Sequence, residues 1–220
     1  LDQKTWGYHH SPKLLATSVV FILAMGLWTN YFNELADLPN NMQEAFEMIM
    51  RNPLGIIAVV IMAPIVEELL FRGAIQGHLL RKWKHPAGAI VLSSLIFGVV
   101  HGNWVQAPFA FVTGLALGWM YYRTGSLLPG ILMHFVNNSA AVISFLSADD
   151  PNATMVSTYG QTGAALMAAG GMVLTIICVL FIQKKLVPQP AVWHQPAQAE
   201  TIEIENNTLS SQTHSHNENI

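Results

Sequence analysis

The sequence predicts an all-α bundle of about six membrane-spanning helices. Of its 220 residues, 52% are hydrophobic and only 10% are charged, whereas an ordinary soluble domain carries about 25% charged residues. Six apolar segments approach the length of about 20 residues that a helix needs to cross the hydrocarbon core of a bilayer. Because backbone polar groups in lipid must be hydrogen-bonded internally, we expect these segments to be helices.

The apolar segments follow one another with short polar connections. The predicted spans are Leu14–Phe32, Pro53 to about Leu80, Pro86–His101, Trp104–Tyr122, Leu127–Leu146 and Thr162–Ile182. The third of these is short for a complete span. Between the first two spans, Asn40–Met50 is predicted to form a short amphipathic helix that lies on the membrane surface or packs on the bundle.

The distribution of basic residues predicts how the bundle is oriented. Lys and Arg concentrate in alternate connections and at the two ends, namely at Lys4, Lys13, Arg81, Lys82, Lys84, Arg123, Lys184 and Lys185. The opposite connections, residues 33–50 and 147–154, are acidic or neutral. The positive-inside rule therefore predicts that both termini are cytoplasmic, and we expect a multi-pass protein of the cell membrane.

Three regions are predicted along the chain. Residues 1–13 form a cytoplasmic segment, residues 14–187 the transmembrane domain with its motifs within 53–146, and residues 188–220 a polar, disordered cytoplasmic tail. Because the first residue is Leu1 rather than Met, we expect further N-terminal residues, and spans with them. The net charge of −3 does not favour nucleic acid as a partner. A single cysteine, Cys178, excludes an intrachain disulfide and a cysteine-based zinc site.

Ionisable side chains within the predicted spans concentrate in three places, one of which also holds an asparagine. Such residues are energetically costly in a membrane and usually face a cavity or a partner. They are Glu67, Glu68 and Arg72 in the second span, His101 at the end of the third, and His134 with Asn138 in the fifth. At a rise of 1.5 Å per residue, these groups lie between about 12 and 23 Å from the inner boundary. We therefore expect Glu67, His101, His134 and Asn138 to line one cavity.

The spacing within the second span distinguishes its two carboxylates. Glu68 and Arg72 are four residues apart, so they share a helix face and can pair. Glu67 lies about 100° further round the helix from Glu68. One carboxylate is therefore predicted to be structural and the other to be available for chemistry. His134 and Asn138 are also four apart and can point into the same cavity.

This set of side chains suits the activation of a water molecule. A buried glutamate can act as a general base, a histidine can share the proton or orient the water, and a second histidine with an asparagine amide can donate hydrogen bonds to a developing oxyanion. The glutamate and both histidines could instead hold zinc, because three protein ligands plus water make a catalytic zinc site. Taken singly, each residue could also serve only in helix packing. The sequence contains no HExxH motif, and spacing does not choose between zinc and direct water activation.

Three short motifs resemble those of one enzyme family. "EELLFR" (Glu67–Arg72), "FGVVH" (Phe97–His101) and "HFVNN" (His134–Asn138) correspond in order to EExxxR, FxxxH and HxxxN. Over Pro53–Leu146 the chain is therefore similar to the CPBP family of intramembrane endopeptidases, which includes type II CAAX prenyl proteases and bacteriocin-processing enzymes.

The resemblance implies a role for each matched residue. Glu67 and His101 would activate the water, while His134 and Asn138 would form the oxyanion hole. Glu68 and Arg72 would support the site. The family is often described as metalloendopeptidases, but the resemblance favours a glutamate-dependent mechanism without an obligate metal. Binding of a zinc ion by Glu67, His101 and His134 is kept as an alternative.

The expected function is hydrolysis of a peptide bond in a membrane-associated, prenylated or peptide substrate, with membrane lipid as the surroundings. Two other functions remain as alternatives. Glu and His in spans also serve proton or solute transporters, although no inverted repeat or pair of broken helices is apparent. A non-proteolytic binding or bacteriocin-immunity protein could also keep the same scaffold.

Overall fold

The computed structural model describes residues 11–83, 85–147 and 153–185. Within these ranges the chain forms seven helical segments and no strand: α1 (Pro12–Ala36), α2 (Gln43–Met50), α3 (Pro53–Lys82), α4 (Pro86–Val100), α5 (Gln106–Thr124), α6 (Leu128–Ser147) and α7 (Met155–Lys185). The last of these is kinked at Gly160, where the backbone is not helical. An all-α membrane bundle is confirmed, and a helix occupies each of the six predicted spans. The predicted tail, residues 188–220, lies outside the described residues.

The six long helices differ in how well they suit a membrane crossing. Among the described residues, α1, α3, α6 and α7 are long and apolar enough to cross a membrane. Helix α4 is apolar but has only 15 residues, or about 22 Å at 1.5 Å per residue. Helix α5 packs against α1, α3, α4 and α6. It is thus an inner helix of the bundle, which explains why it can be less apolar than its neighbours.

Proline and polar caps determine where several helices begin and end. Ser11 Oγ accepts a hydrogen bond from the first turn of α1, and Asn52 Oδ1 does the same for α3. Pro53 and Pro86 occupy the first turns of α3 and α4, where a missing N–H has no cost. Helix α5 ends at Gly125, whose φ of 65° is easily adopted only without a side chain.

The largest apolar core joins α1 to α5, α6 and α7. Its buried residues are Leu14, Phe21, Ile22, Met25, Ala116, Leu117, Met120, Met133, Cys178 and Ile182. Helices α1 and α7 approach closely at Gly171, where a Cβ would lie 2.6 Å from the Ala24 carbonyl oxygen. At the far end of this pair, the Glu34 carboxylate accepts from the first two N–H groups of α7. The first and last helices of the described chain therefore form one unit.

Helix α2 packs on the bundle, one of the two placements predicted for it. Phe46 meets Phe145 of α6 edge-on with ring centroids 5.6 Å apart, and Met50 is buried. The loop before α2 binds the turn that follows α4, because Asn41 Nδ2 donates to the Gly102 carbonyl at 3.1 Å. The segment after α4 is thereby attached to α2 at the same end of the bundle.

Candidate active site

The six residues predicted from the motifs lie on three helices. Glu67, Glu68 and Arg72 are on α3, His101 follows the last residue of α4, and His134 with Asn138 is on α6. Helix α3 contacts α4, α5 and α6. The inward faces of these helices bring Glu67, Glu68, Arg72 and His134 into mutual contact.

Helix α3 changes its hydrogen-bonding pattern at the site. Ala58–Met62 and Glu68–Gln76 are π-helical, and Ala63–Glu67 between them is α-helical. Hydrogen bonds in a π-helix run from an N–H to the carbonyl five residues earlier, and such segments occur frequently at functional sites. The two adjacent glutamates lie at the junction where the second π-helical segment begins.

Glu68 is buried between Arg72 and His134. Its Oε1 atom lies 3.0 Å from Arg72 Nη1 and 3.2 Å from His134 Nδ1, and the side chains of Glu68 and Arg72 are each 1% exposed. Arg72 Nη1 approaches the carboxylate in a direction that does not meet hydrogen-bond geometry, so this contact is an ion pair only. The pairing of Glu68 with Arg72 agrees with their spacing. Removing one partner of such a buried ion pair strongly destabilises the fold, because the other charge stays buried without compensation.

Glu67 is the more accessible carboxylate. Its side chain is 30% exposed, and its Oε2 atom lies 3.6 Å from His134 Nε2. His134 therefore stands between the two glutamates, with Nδ1 towards Glu68 and Nε2 towards Glu67. The buried carboxylate orients the imidazole, while the exposed one can still meet a water molecule.

His101 is linked to the other residues through Phe97. Its Nδ1 atom is 2.7 Å from the Phe97 carbonyl oxygen. Because that carbonyl can only accept, Nδ1 carries the proton and Nε2 of a neutral ring has the free lone pair. The Phe97 ring also contacts His101 and His134 edge-on, with centroids 4.8 and 5.7 Å away. No direct contact joins His101 to Glu67 within the described residues.

Asn138 is anchored to the backbone of α3. Its Nδ2 atom donates to the Val59 carbonyl at 2.9 Å. Val59 lies in the first π-helical segment, where Ala63 donates to Ala58. The next donor in that pattern would be residue 64, which is a proline without an N–H. The Asn138 amide thus satisfies a carbonyl that the helix leaves without its π partner, and the amide keeps a second N–H.

Sequence reasoning missed two residues of the site. Phe97 places its ring 4.4 Å from the Arg72 guanidinium carbon, besides its contacts to both histidines. Its only sequence signal was its place in the FxxxH motif. Gln76 is fully buried one turn beyond Arg72 and donates to the Gly118 carbonyl. Its signal was the repeat of polar residues at intervals of four along one helix, at 68, 72 and 76.

The side chains do not form a metal cage. Within the described ranges, no group of three or more His, Cys, Asp and Glu lies close enough to hold a metal ion. The possible ligand set of Glu67, His101 and His134 is not assembled in this arrangement.

Comparison with known proteins supports the motif assignment. Residues 50–140 match the family model described as type II CAAX prenyl endopeptidase Rce1-like. This match contains all three motifs. The predicted family resemblance is confirmed.

Two bacterial relatives match nearly the same part of the chain. YdiL of Bacillus subtilis, named as a membrane peptidase, is 33% identical over 103 residues, which are 47% of this chain and 42% of that protein. The membrane-embedded CAAX protease MroQ of Staphylococcus aureus is 30% identical over 108 residues, 47% of this chain and 44% of the relative. The matches span less than half the length of each relative. No solved structure matches the chain. The apolar helices and these relatives identify a multi-pass protein of the cell membrane.

Proposed function

We propose that this chain is an intramembrane endopeptidase that hydrolyses a peptide bond with a water molecule activated by Glu67. The observation that carries the proposal is the arrangement of His134 between a buried, Arg-paired carboxylate and a partly exposed one. An oriented imidazole beside an accessible carboxylate can take part in general acid–base catalysis. The match of residues 50–140 to a peptidase family supports the same reaction class.

The first step is attack of water on the scissile carbonyl carbon. Glu67 accepts one proton of the water as the new C–O bond forms, and His101 orients the water through the lone pair on Nε2. The carboxylic acid of Glu67 then delivers this proton to the amide nitrogen. The C–N bond breaks, and the products are a carboxylic acid and an amine. General acid–base catalysis of this kind contributes typically about 10²- to 10⁴-fold to a rate.

The negative charge on the carbonyl oxygen needs donors in place before the reaction. The groups proposed for this role are the second N–H of Asn138 and Nε2–H of His134 in its imidazolium form, in which Nδ1–H faces Glu68. The bond of Asn138 to the Val59 carbonyl fixes the direction of its amide. Preorganised donors cost no reorganisation when the charge develops. Glu68 and Arg72 hold His134 in place and do not touch the substrate.

The substrate class follows from where the site lies. The reacting groups are on helices that cross or enter the apolar layer, so the substrate must reach them from lipid or through the bundle. A membrane-anchored protein or a prenylated peptide can do so, because its anchor partitions into the bilayer. The relative named as a CAAX protease agrees with this class.

Cleavage by wild type and by site variants tests the proposed function. Membranes from cells that express the wild type, Glu67→Ala or His101→Ala are compared for released peptides by mass spectrometry. We expect both variants to lose cleavage by at least about 100-fold, the lower range for a lost general base, at unchanged expression. Glu44→Ala, at an exposed position on α2, is the matched control. Full activity of either site variant would refute its assigned role. A substrate-dependent transport signal, or toxin protection that survives Glu67→Ala, would favour the alternative functions.

Chelation tests the part of the proposal that concerns metal. Because the proposed steps use only side chains and water, we expect exhaustive chelation to leave the cleavage rate of the purified protein unchanged. Metal content is measured alongside the rate. One ion per chain, lost together with activity and restored by zinc, would show that the mechanism is metal-assisted.

A further inference from the structure

We infer that Gln76 is a positioning residue for this site. It holds helix α3 in register on helix α5 and thereby keeps Glu68 of α3 against His134 of α6. The inference deepens the proposed function and rests on it.

Gln76 and Arg72 make two parallel contacts between α3 and α5. The Nε2 atom of Gln76 donates to the Gly118 carbonyl at 2.8 Å, and Arg72 Nη2 donates to the Gly114 carbonyl at 3.2 Å. The donors are four residues apart on α3, and the acceptors are four apart on α5. A carbonyl oxygen has two lone pairs, so each can accept this bond besides the bond within its own helix. The two contacts together determine how α3 lies along α5.

Two glycines allow α5 to pack closely against its neighbours, and one of them faces Gln76. A Cβ on Gly118 would lie 2.6 Å from Gln76 Oε1, and a Cβ on Gly114 would lie 3.2 Å from Phe97 Cδ1. Small residues at helix interfaces in membranes allow backbones to approach closely. Here the absence of a side chain at Gly118 leaves room for Gln76 of α3, and its absence at Gly114 leaves room for Ser94 and Phe97 of α4.

The burial of Gln76 is difficult to explain by packing alone. The residue is 0% exposed, and its Oε1 atom has no hydrogen-bond partner. An unpaired buried polar atom is unfavourable, so an apolar side chain of the same volume would serve packing better. The one strong bond that Gln76 does make is directional. Buried polar groups are best attested as devices that select one register between helices.

The contacts continue from Gln76 to the reacting groups. Arg72 lies 3.0 Å from Glu68 Oε1, and the same oxygen lies 3.2 Å from His134 Nδ1 on α6. If α3 slid along α5, both contacts to the glycine carbonyls would break. The buried carboxylate would then move relative to the imidazole that it orients.

The variant Gln76→Met tests this role because it keeps the volume and removes the donor. We expect kcat to fall between about tenfold and a hundredfold, as when a distant change misplaces reacting groups, with KM unchanged. Thr113→Val is the matched control: Thr113 lies buried on α5 next to Gly114, and its hydroxyl has no partner. We expect that control to keep wild-type kcat and KM. Wild-type kcat in Gln76→Met would overturn the inference.

A double-mutant cycle separates positioning from a general loss of structure. Gln76→Met is measured alone and in an Arg72→Lys background, which removes the contact to Gly114. If Gln76 acts through Arg72, its loss should reduce kcat much less in that background. Independent, additive losses would overturn the inference, since distant and unlinked effects add.

A stability cycle keeps this inference separate from the proposed function. If the wild type cleaves no peptide, the proposed function fails, and the same four proteins are compared by their midpoints of thermal unfolding in detergent. Non-additive shifts would still support the coupling of Gln76 to Arg72. Additive shifts would overturn it whether or not the protein is a peptidase.

Discussion

Two interfaces in this bundle are held together in different ways. Helices α1 and α7 meet largely through apolar side chains, with a close backbone approach at Gly171 and the Trp28–Thr175 hydrogen bond at the side. Helix α3 meets α5 through buried Arg72 and Gln76, which bind backbone carbonyls.

The two interfaces differ in how strongly their contacts fix the position of one helix along the other. Apolar packing in lipid fills space but selects one register only weakly, because a small slide exchanges one apolar contact for another. Charged and amide groups buried at membrane depth have few alternative partners. The polar interface is therefore the one that can hold reacting groups in a defined arrangement, and the apolar interface mainly holds the bundle together.

The largest effect is expected when the polar interface loses its charge. Arg72→Met leaves Glu68 buried without its cation, and such a change typically costs about 3–5 kcal/mol of stability. Cleavage should be lost as well. The measurement is the free energy of unfolding in mixed micelles, together with the rate. Adding Glu68→Gln should restore much of the stability but not the activity. If Arg72→Met were as stable as the wild type, the ion pair of Arg72 with Glu68 would not stabilise the fold.

A moderate effect is expected at the close approach of the apolar interface. Gly171→Ala would place a methyl group 2.6 Å from the Ala24 carbonyl oxygen, and overpacking of this kind typically costs about 1–3 kcal/mol. Activity per folded molecule should not change. The adjacent Gly170→Ala is the control, because nothing lies within 4 Å of the added Cβ. A loss of specific activity in Gly171→Ala alone would show that the apolar interface also positions the site.

The smallest effect is expected at the Trp28–Thr175 hydrogen bond of the apolar interface. Thr175→Val removes the hydroxyl that accepts from Trp28 Nε1 at 3.1 Å. Hydrogen bonds between membrane helices average about 0.6 kcal/mol, so the unfolding midpoint should fall only slightly and the rate should be unchanged. A loss as large as that of Arg72→Met would remove the distinction between the two interfaces.

The sequence by itself determined the class of fold and the identity of most candidate residues. Long apolar segments have one solution in lipid, which is the helix, so six helices followed from composition and length. The interval of four residues also predicted that Glu68 pairs with Arg72, because residues on one helix face meet whatever the rest of the fold does. The motifs indicated a resemblance to one family, and a family model matches residues 50–140.

Only the tertiary structure decided which partners meet across helices. Spacing along one helix carries no information about another, so the position of His134 between two glutamates could not be predicted. The same holds for the bond of Asn138 to Val59, which depends on the π-helical segment before Pro64. Gln76 was overlooked because its acceptor is the backbone carbonyl of Gly118. Every residue has a backbone carbonyl, so the sequence does not show which of them a side chain will bind.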